Sequence, residues 1–585
     1  YLLRLEPGTA AVRRTASVTF DRPVLGVVYS AEAFAVSPLL YRRSDVDYSS
    51  DPRVEVEMPE NGTFIELSAD RRTVSFSARA DGSYFDQIRI VTGSDNFCPD
   101  GGLIVTGSQS IGVDEFQHEG KCVVIAPGAL SIAGSHRFAS IVTQSVVNIG
   151  NPSSYSPGVI THPAGGTDVG AGEPIGFHIT VTNDVYFGPD KPPADSVPTA
   201  RSGIDVSYVG YQHGAGPGVP GAHGGGSAFG AGLVYGTVTM PTTMGSGGTL
   251  GTTCQYSEGH GGGAARLTVN GRLLVDGSVR ANGHYGVRNG SYLCGNYASG
   301  GAGGSVWIEA NELAGGGVIQ ARGGGAHPSG TWSGGGGGGR IAVYYNTSSF
   351  VGDISAGSGE WLASDGGAGT IFVRDWDEPL GDLIVAGGSR ATGATSITTL
   401  PGMDFRSVRL SDNARVKLAG QVTSQGAMEI LRQTRVTAVD QVPLSLVAGA
   451  EFVLDASSVI DVTGLGLTPG RTQQWGGSHG GYGGGASSFP LPGDAFEPSI
   501  LAEAGGGLGG TAGTGGRGGG AIYLASNVSM IVDGSIRANG VGGVRHNSLW
   551  FYGGGGAGGS IWIAAPEVSG QGLLQANGGG QGGSG

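Results

Sequence analysis

The chain has almost no lysine and no long apolar run, and each scarcity excludes a class of protein or partner. Lysine occurs only at positions 121, 191 and 417, and the 33 Lys and Arg residues form no basic stretch. Nucleic acids and anionic membranes are therefore poor partners for a chain whose formal charge is −14. No apolar stretch approaches the roughly 20 residues needed to cross a bilayer. We expect no membrane-spanning segment.

Helical periodicity is also missing almost throughout, whereas glycine supplies 117 of the 585 residues. This share is roughly three times the usual one, which leaves either disorder or a regular fold whose turns are made of glycine. The hydrophobic fraction is 39%, in short Val, Ile and Leu runs between Gly clusters. Because disordered chains lack the apolar area that offsets chain entropy, we expect an ordered, all-β protein.

A long segment of the sequence occurs twice. Residues 261–283 return as 518–540, an offset of 257, and residues 305–325 return as 560–580, an offset of 255. The earlier match of 102–107 to 382–387 has an offset of 280, so about 24 extra residues lie around 150–200. We therefore predict two copies of one module, at 98–380 and 381–585, the second incomplete at its C-terminal end. We expect the polypeptide to continue past Gly585, or a neighbouring chain to complete this end.

Within each copy, strands of three to six residues are separated by Asn-Gly, Asp-Gly or poly-Gly. A parallel β-helix, or solenoid, requires such strands, because Gly and Asn adopt the left-handed geometry of its corners. In the repeated phrase (V/I)DGS(V/I)RANG, the residues expected to point inward are Val275, Val279, Val532 and Ile536. Those expected to face solvent are Asp276, Arg280, Asp533 and Arg537. The Asn-Gly steps could equally make hairpins, so an up-and-down or sandwich fold is the alternative.

The poly-Gly runs have a physical use of their own. Without side chains they can lie against one another in an extended, polyproline-II-like form and form hydrogen bonds through the backbone. Since a free poly-Gly loop is costly to order, ordered runs would imply lateral packing within a module or between chains.

Residues 1–97 differ from the rest because glycine is sparse and short alternating segments predict an antiparallel β-sandwich. The pattern LEPGTA, SVTFDRPVLGVVYS and DGSYFDQIRIVT, from Leu5 to Thr92, resembles a small domain of bacterial secreted and surface proteins. Most of 98–585 resembles the Gly-rich β-helix segments of large secreted and surface proteins, which have similar GGxGGSIWI and GGGGGRIAVYY strings. These resemblances imply an extracellular setting and specify architecture better than biochemistry.

The four cysteines form two local pairs, Cys98 with Cys122 and Cys254 with Cys294. Local pairing favours two disulfides and an oxidising compartment, although four cysteines allow three connectivities. A four-thiolate zinc site is the competing interpretation, and it is weak because no spacing is C-x-x-C. Sequons that predict glycosylation occur at Asn61, Asn289, Asn346 and Asn527.

No pattern predicts a catalytic, cofactor or metal site. The acidic residues in question are scattered and match no signature: Asp353, Glu360, Asp365, Asp375, Asp377 and Glu378. Of these, residues 375–378 precede Pro379 and indicate a solvated linker. The Gly runs lack the Asp ligands of a calcium β-roll, and no Gly-Lys-Ser/Thr follows them. The histidines in or beside Gly-rich loops lack ligand spacing: residues 213, 223, 260, 284, 327, 479 and 546.

Aromatic residues in the Gly-rich segments are candidates for contacts. The predicted contact residues are Trp332, Trp475, Tyr482, Trp550 and Tyr552, and Tyr285 belongs to the same group. We favour packing pegs or subunit contacts over sugar binding, because large rings most often serve packing and interfaces.

These observations predict a non-enzymatic structural protein of the extracellular space or cell surface. It would act as a stalk, an adhesin shaft or the subunit of a self-associating filament, without a cofactor. The main alternative is a carbohydrate-binding or carbohydrate-active β-helix protein, a lyase or hydrolase, with glycans as partners.

Overall fold

The structure is a computed structural model that describes most of the two copies and seven strands before them. The described ranges after residue 93 are 102–125, 128–143, 146–148, 151–163, 176–188, 202–212, 214–217, 220–226, 234–248, 259–286, 299–325, 334–359, 365–388, 398–468, 477–480, 515–544 and 553–580. These residues form strands, turns and extended segments, and no helix. The prediction of an all-β chain is therefore confirmed.

The N-terminal strands form two small antiparallel sheets. The strands are β1 (Leu2–Arg4), β2 (Val12–Thr19), β3 (Val24–Val28), β4 (Phe64–Leu67), β5 (Thr73–Asp81), β6 (Tyr84–Phe85) and β7 (Gln87–Thr92). One sheet has the order β1-β7-β3, and the other has β2-β5-β4 with β6 on β5. Every pairing within them is antiparallel.

Nineteen strands are described in the first Gly-rich copy. They are β8 (Leu103–Val105), β9 (Ser108–Ile111), β10 (Val123–Ile125), β11 (Gly128–Ile132), β12 (Gly134–Phe138), β13 (Ile141–Thr143), β14 (Val146–Asn148), β15 (Asn151–Ser156), β16 (Gly158–Thr161), β17 (Phe177–Val181), β18 (Val185–Phe187), β19 (Gly203–Asp205), β20 (Ala264–Val275), β21 (Ser278–Arg280), β22 (Ser305–Gly315), β23 (Val318–Gln320), β24 (Arg340–Phe350), β25 (Asp353–Ser355) and β26 (Thr370–Asp375). Most alternate between a long sheet and a seven-stranded sheet of order β25-β23-β21-β19-β16-β11-β9. An antiparallel hairpin, β14–β15, lies where the predicted insertion begins.

The second copy contains the remaining strands. They are β27 (Asp382–Ala386), β28 (Thr398–Leu400), β29 (Met403–Phe405), β30 (Ser407–Ser411), β31 (Arg415–Leu418), β32 (Val422–Ser424), β33 (Met428–Ile430), β34 (Arg435–Ala438), β35 (Leu444–Ala448), β36 (Glu451–Leu454), β37 (Val459–Asp461), β38 (Ala521–Ser526), β39 (Ser529–Val532), β40 (Ser535–Arg537), β41 (Ser560–Ala564), β42 (Val568–Ser569) and β43 (Leu573–Gln575). From β28 onward, consecutive strands visit three parallel sheets in a fixed rotation.

The long sheet joins the two copies. Its main path runs β42-β39-β36-β33-β30-β27-β26-β24-β22-β20-β18-β13-β10-β8. All the pairings along it are parallel except the one between β26 and β27, where residues 371–373 lie antiparallel to 382–384. The turn between these strands carries the exposed Asp377 and Glu378, as expected of a solvated connection.

The core is a set of columns of apolar side chains that follow the strand register. Ile204 pairs with Val279 and Val279 with Ile319, and all three are at most 1% exposed. The predicted inward residues are buried in both copies: Val275, Val279, Val532 and Ile536. Asp533 is exposed and Asp276 and Arg537 are partly so, but the prediction for Arg280 is wrong. Its side chain is buried, and its partners on the adjacent strands are Asp205 and Gln320.

The sequence distance between paired residues shows where the Gly-rich segments enter. Val408 pairs with Met428 only 20 residues later, on the β30–β33 ladder. Val306 pairs with Ile341, 35 residues later, and the chain between them contains two Gly-rich segments. The strands therefore carry a regular ladder, and the glycine is concentrated in excursions from it.

Candidate functional site: the glycine layer

The Gly-rich excursions pack side by side in what we call the glycine layer. In the first copy its segments are 244–248, 259–263, 281–286, 299–304, 320–325, 334–339, 356–359 and 365–369. Most glycines in it are buried, although they have no side chains to bury. The layer is therefore held together by the backbone.

The hydrogen bonds of segment 299–304 repeat after three residues. The N–H groups of residues 300 to 304 donate in turn to the carbonyl oxygens of Gly334, His284, Ser246, Gly337 and Ala281, at N···O distances of 3.0, 2.9, 2.9, 2.9 and 2.7 Å. The same neighbouring segment is reached at every third residue. Three residues per turn is the period of polyproline II, whose backbone groups all point outward and are free to bind neighbours. The layer thus has the lateral packing that the glycine runs predict.

The same period recurs in the second copy. Gly540 and Gly543, three residues apart, donate to the carbonyls of Asn577 and Gly580 at 2.8 and 3.0 Å. Gly516 and Gly519 donate to the segment 554–557 in the same way. The layer is therefore a repeated feature of the chain.

Glycine is required here by the close approach of neighbouring backbones. A Cβ placed on Gly303 would lie under 3.0 Å from the carbonyl oxygen of Ala321 and 2.6 Å from the nitrogen of Gly339. The same contact, a glycine against an alanine carbonyl one turn further along, joins Gly262 to Ala281, Gly303 to Ala321, Gly338 to Ala356, Gly519 to Ala538 and Gly558 to Ala576. Backbone cannot move aside as a flexible side chain can, so any larger residue would separate the segments.

A few polar side chains lie against this layer, and we call them the buried polar cluster: His223, Arg340 and Thr370, which are buried, and Tyr235 and Thr243, which are partly buried. The His223 Nδ1 lies 2.8 Å from the carbonyl oxygen of Gly303, and Nε2 lies 2.8 Å from the Thr243 hydroxyl. A carbonyl only accepts, so Nδ1 carries the proton and Nε2 accepts from Thr243. Arg340 donates from Nε to the Tyr235 carbonyl at 2.8 Å and from a terminal nitrogen to the Thr370 hydroxyl at 3.1 Å.

Burial determines the charge states in this cluster. Burial, assisted by the positive charge of Arg340, lowers the pKa of His223 to about 3. Burial also lowers the pKa of Arg340 to about 10, and it raises the pKa of Tyr235 above its ordinary value. At neutral pH the imidazole is neutral and the guanidinium charged. Since both His223 nitrogens are engaged and its pKa is far from neutrality, the cluster positions backbone and is unsuited to proton transfer.

The second copy repeats the histidine. His479 follows His223 by 256 residues, is buried, and has its Nε2 2.7 Å from the Ser560 hydroxyl. From the sequence, both histidines are interpreted as ordinary loop residues. That interpretation misses their buried hydrogen bonds to the glycine layer and to hydroxyl groups. The repeat offset, applied to single histidines, would have found the pair.

The structure describes one of the four predicted disulfide cysteines. Cys122 is disulfide-bonded, whereas its predicted partner Cys98 lies outside the described residues. The second predicted pair, Cys254 and Cys294, also lies outside the described residues. A bond between Cys254 and Cys294 therefore stays a prediction.

The other predicted site residues are scattered or outside the described residues. The five predicted contact aromatics all lie outside them: Trp332, Trp475, Tyr482, Trp550 and Tyr552. Among the predicted glycosylation sites, Asn346 and Asn527 are exposed, whereas Asn61 and Asn289 fall on residues that are not described. The structure thus brings none of these residues together into one site among the residues it describes.

The described part of the chain contains no group of three or more His, Cys, Asp or Glu residues that could hold a metal ion. It also contains no helix long and apolar enough to cross a membrane. Two carboxylates of the 353–378 region bind locally: Asp353 accepts from the Ser355 hydroxyl at 2.9 Å, and Asp375 accepts from the Asp377 amide at 3.0 Å. No family model, curated protein or solved structure matches the chain.

Proposed function

We propose that the chain is an extracellular structural protein, a stalk or a subunit of a surface filament. An N-terminal β-sandwich would precede tandem Gly-rich parallel β-helix modules. The observation that carries this proposal is the hydrogen-bonded path of fourteen strands from β42 to β8. At about 4.8 Å between neighbouring strands, this path extends over roughly 60 Å.

Two further features support the solenoid assignment. From β28 onward the chain visits three sheets in rotation, as the winding of a three-sided solenoid requires. The two antiparallel sheets of β1–β7 are the elements from which a sandwich would be built. The disulfide at Cys122 supports an oxidising, extracytoplasmic setting.

The mechanism would be mechanical. Every turn of the chain would contribute strand ladders, and the turns with Gly-rich excursions would add the hydrogen bonds of the glycine layer. Backbone contacts leave no side chains that can change rotamer, so bending would stretch many short hydrogen bonds at once. A rod built in this way should be stiff.

Self-association would use the open edge, which we define as strands β42 and β43. Val568, Leu573 and Leu574 are 53%, 48% and 51% exposed there. Their counterparts Leu313 and Ile319 in the first copy are at most 1% exposed, because β24 and β25 continue the ladder over them. Among the described residues no strand lies beyond β42 or β43, and an exposed apolar strand is a template for another strand. Further residues of the same polypeptide or a second copy of the chain could pair here, and self-association would use the second copy.

Electron microscopy tests the proposal. Negative-stain images over a concentration series should show elongated particles that join end to end as concentration rises. Leu574→Asp should reduce this association, whereas Val351→Asp, at a valine that is 85% exposed away from the open edge, should not. Monodisperse, globular particles at the highest concentration would contradict the filament proposal.

A further inference from the structure

A group of aromatic side chains on the first copy forms what we call the aromatic corner: Tyr208, His284 and Tyr285. The rings of His284 and Tyr285 are stacked at 4.5 Å with an angle of 17° between their planes. The ring of Tyr208 meets His284 edge-on, at 4.6 Å and 80°. Tyr208 is 44% exposed and Tyr285 is 54% exposed. The rings of Tyr208 and His284 are therefore nearly perpendicular to each other, and both tyrosines expose aromatic surface to solvent.

The backbone of Tyr208 is in an unfavourable conformation for a tyrosine. Its φ is +66°, in the left-handed region that residues with a Cβ rarely adopt. The equivalent residue of the second copy, 256 positions later, is Gly464, with a φ of +69°. Glycine is the ordinary occupant of such a position. The first copy therefore has a tyrosine at a position where the second copy has a glycine.

The aromatic side chains are not needed for the local backbone geometry. The Tyr208 amide donates to the Asn282 carbonyl at 3.0 Å, and the Gly464 amide donates to the Asn539 carbonyl at 2.9 Å. The side-chain oxygen of Asn282 and that of Asn539 each accept from a backbone amide at 2.8 Å. The positions of His284 and Tyr285 are occupied by Val541 and Gly542 in the second copy. The same turn forms without any of the three rings.

Polar residues lie in the same turn and on the neighbouring segment. Asp205 precedes the turn and accepts from the Ser207 amide at 3.0 Å. The exposed Arg322 lies on the next strand segment, where its amide binds Asn282. Burial and the Asp205 carboxylate raise the pKa of Tyr208, so its phenol remains protonated and can donate a hydrogen bond. Flat apolar surfaces next to fixed polar groups match a pyranose ring, which has an apolar C–H face and hydroxyls around its rim.

We infer that the aromatic corner binds a hexopyranose unit of a neutral polysaccharide, by stacking on Tyr208 and Tyr285 with the rim hydroxyls directed to the polar groups. A packing peg would be buried, whereas both tyrosines are exposed. A conformation that is strained in one copy and relaxed in the other is more simply explained by use of the ring than by folding. This site is independent of the filament proposal, since a monomer would carry it.

The test is isothermal titration calorimetry of the whole chain with cellohexaose, mannohexaose and chitohexaose as probes. At least one of the three should bind. Tyr285→Ala and Tyr208→Gly should each weaken that binding about tenfold, the effect of removing a principal aromatic contact. Tyr208→Gly installs the residue of the second copy, so its melting temperature should equal or exceed that of the parent. Val541→Ala, at the matched position of the second copy, should leave binding unchanged.

Three results would overturn the inference. The first is that none of the three oligosaccharides binds. The second is that the Tyr208→Gly, Tyr285→Ala double variant binds as well as the parent. The third is that Tyr208→Gly lowers the melting temperature or abolishes self-association, which would make the ring a peg or a subunit contact.

Discussion

Replacing Gly303 by alanine tests whether the glycine layer is held by close backbone contact. The added Cβ would lie 2.6 Å from the Gly339 nitrogen and also under 3.0 Å from the Ala321 carbonyl oxygen. Relief requires the segments to separate, which would stretch the Gly339–Ala321 bond of 2.7 Å and the Gly303–Gly337 bond of 2.9 Å. Overpacking costs about 1–3 kcal/mol, and each weakened hydrogen bond about 1 kcal/mol. Alanine also has less conformational freedom than glycine in the unfolded chain, which raises stability by about 0.4–1 kcal/mol. We therefore expect the free energy of unfolding to fall by about 3 kcal/mol in total.

The assay is urea unfolding followed by circular dichroism, with hydrogen exchange of the peptide that covers 299–304. The matched control is Gly107→Ala, because nothing lies within 4 Å of a Cβ at that exposed glycine. The control should be neutral or slightly stabilised, whereas Gly303→Ala should unfold earlier and exchange faster in the glycine layer. If the two variants agree within about 0.5 kcal/mol, the reasoning about close backbone contact is refuted.

Two further predictions concern the buried polar cluster. His223 titrates near pH 6.5 when unfolded and near 3 when folded, so its contribution is fully present above pH 6.5 and decreases as the pH falls towards 3. At pH 4 the free energy of unfolding should be lower by about 3 kcal/mol for this reason. Urea unfolding at pH 7 and pH 4 should show a smaller loss of stability for His223→Gln than for the parent. An equal loss in both proteins would contradict the assignment. Tyr235→Phe removes hydroxyl bonds to the Met244 carbonyl at 2.7 Å and to Ser246 at 2.8 Å. It should destabilise by about 1–3 kcal/mol in thermal unfolding, and an unchanged melting temperature would show that these bonds contribute nothing.

Much of the strand ladder could be predicted because it follows local rules. Alternation and Gly or Asn at corners correctly identify Val275 and Ile536 as core residues. The same alternation places Arg280 in solvent, and it fails there because alternation along one strand cannot show which other parts of the chain cover a side chain. The strand partners of Arg280, Asp205 and Gln320, are far away from it in sequence.

The glycine layer could be predicted in kind but not in detail. Composition alone indicates that poly-Gly must pack laterally if it is ordered. The partners of a given glycine could not be deduced, because residues without side chains carry no pattern that distinguishes one neighbour from another. His223 was missed for a related reason: its Gly303 partner is 80 residues away and is one glycine among many.

The three-residue period of the glycine layer has a consequence for register. A segment such as 299–304 could slide by three residues along its neighbours and recover equivalent hydrogen bonds, since every glycine offers the same amide and carbonyl. Alignment must therefore come from outside the layer, and the strand that follows directly, β22, pairs residue for residue with β20 and β24. The glycine layer contributes hydrogen bonds but does not fix the register of its segments. The strand ladders fix that register. Substitutions that weaken the strand pairing should therefore allow the glycine segments to shift in register, because the segments themselves do not favour one register over another.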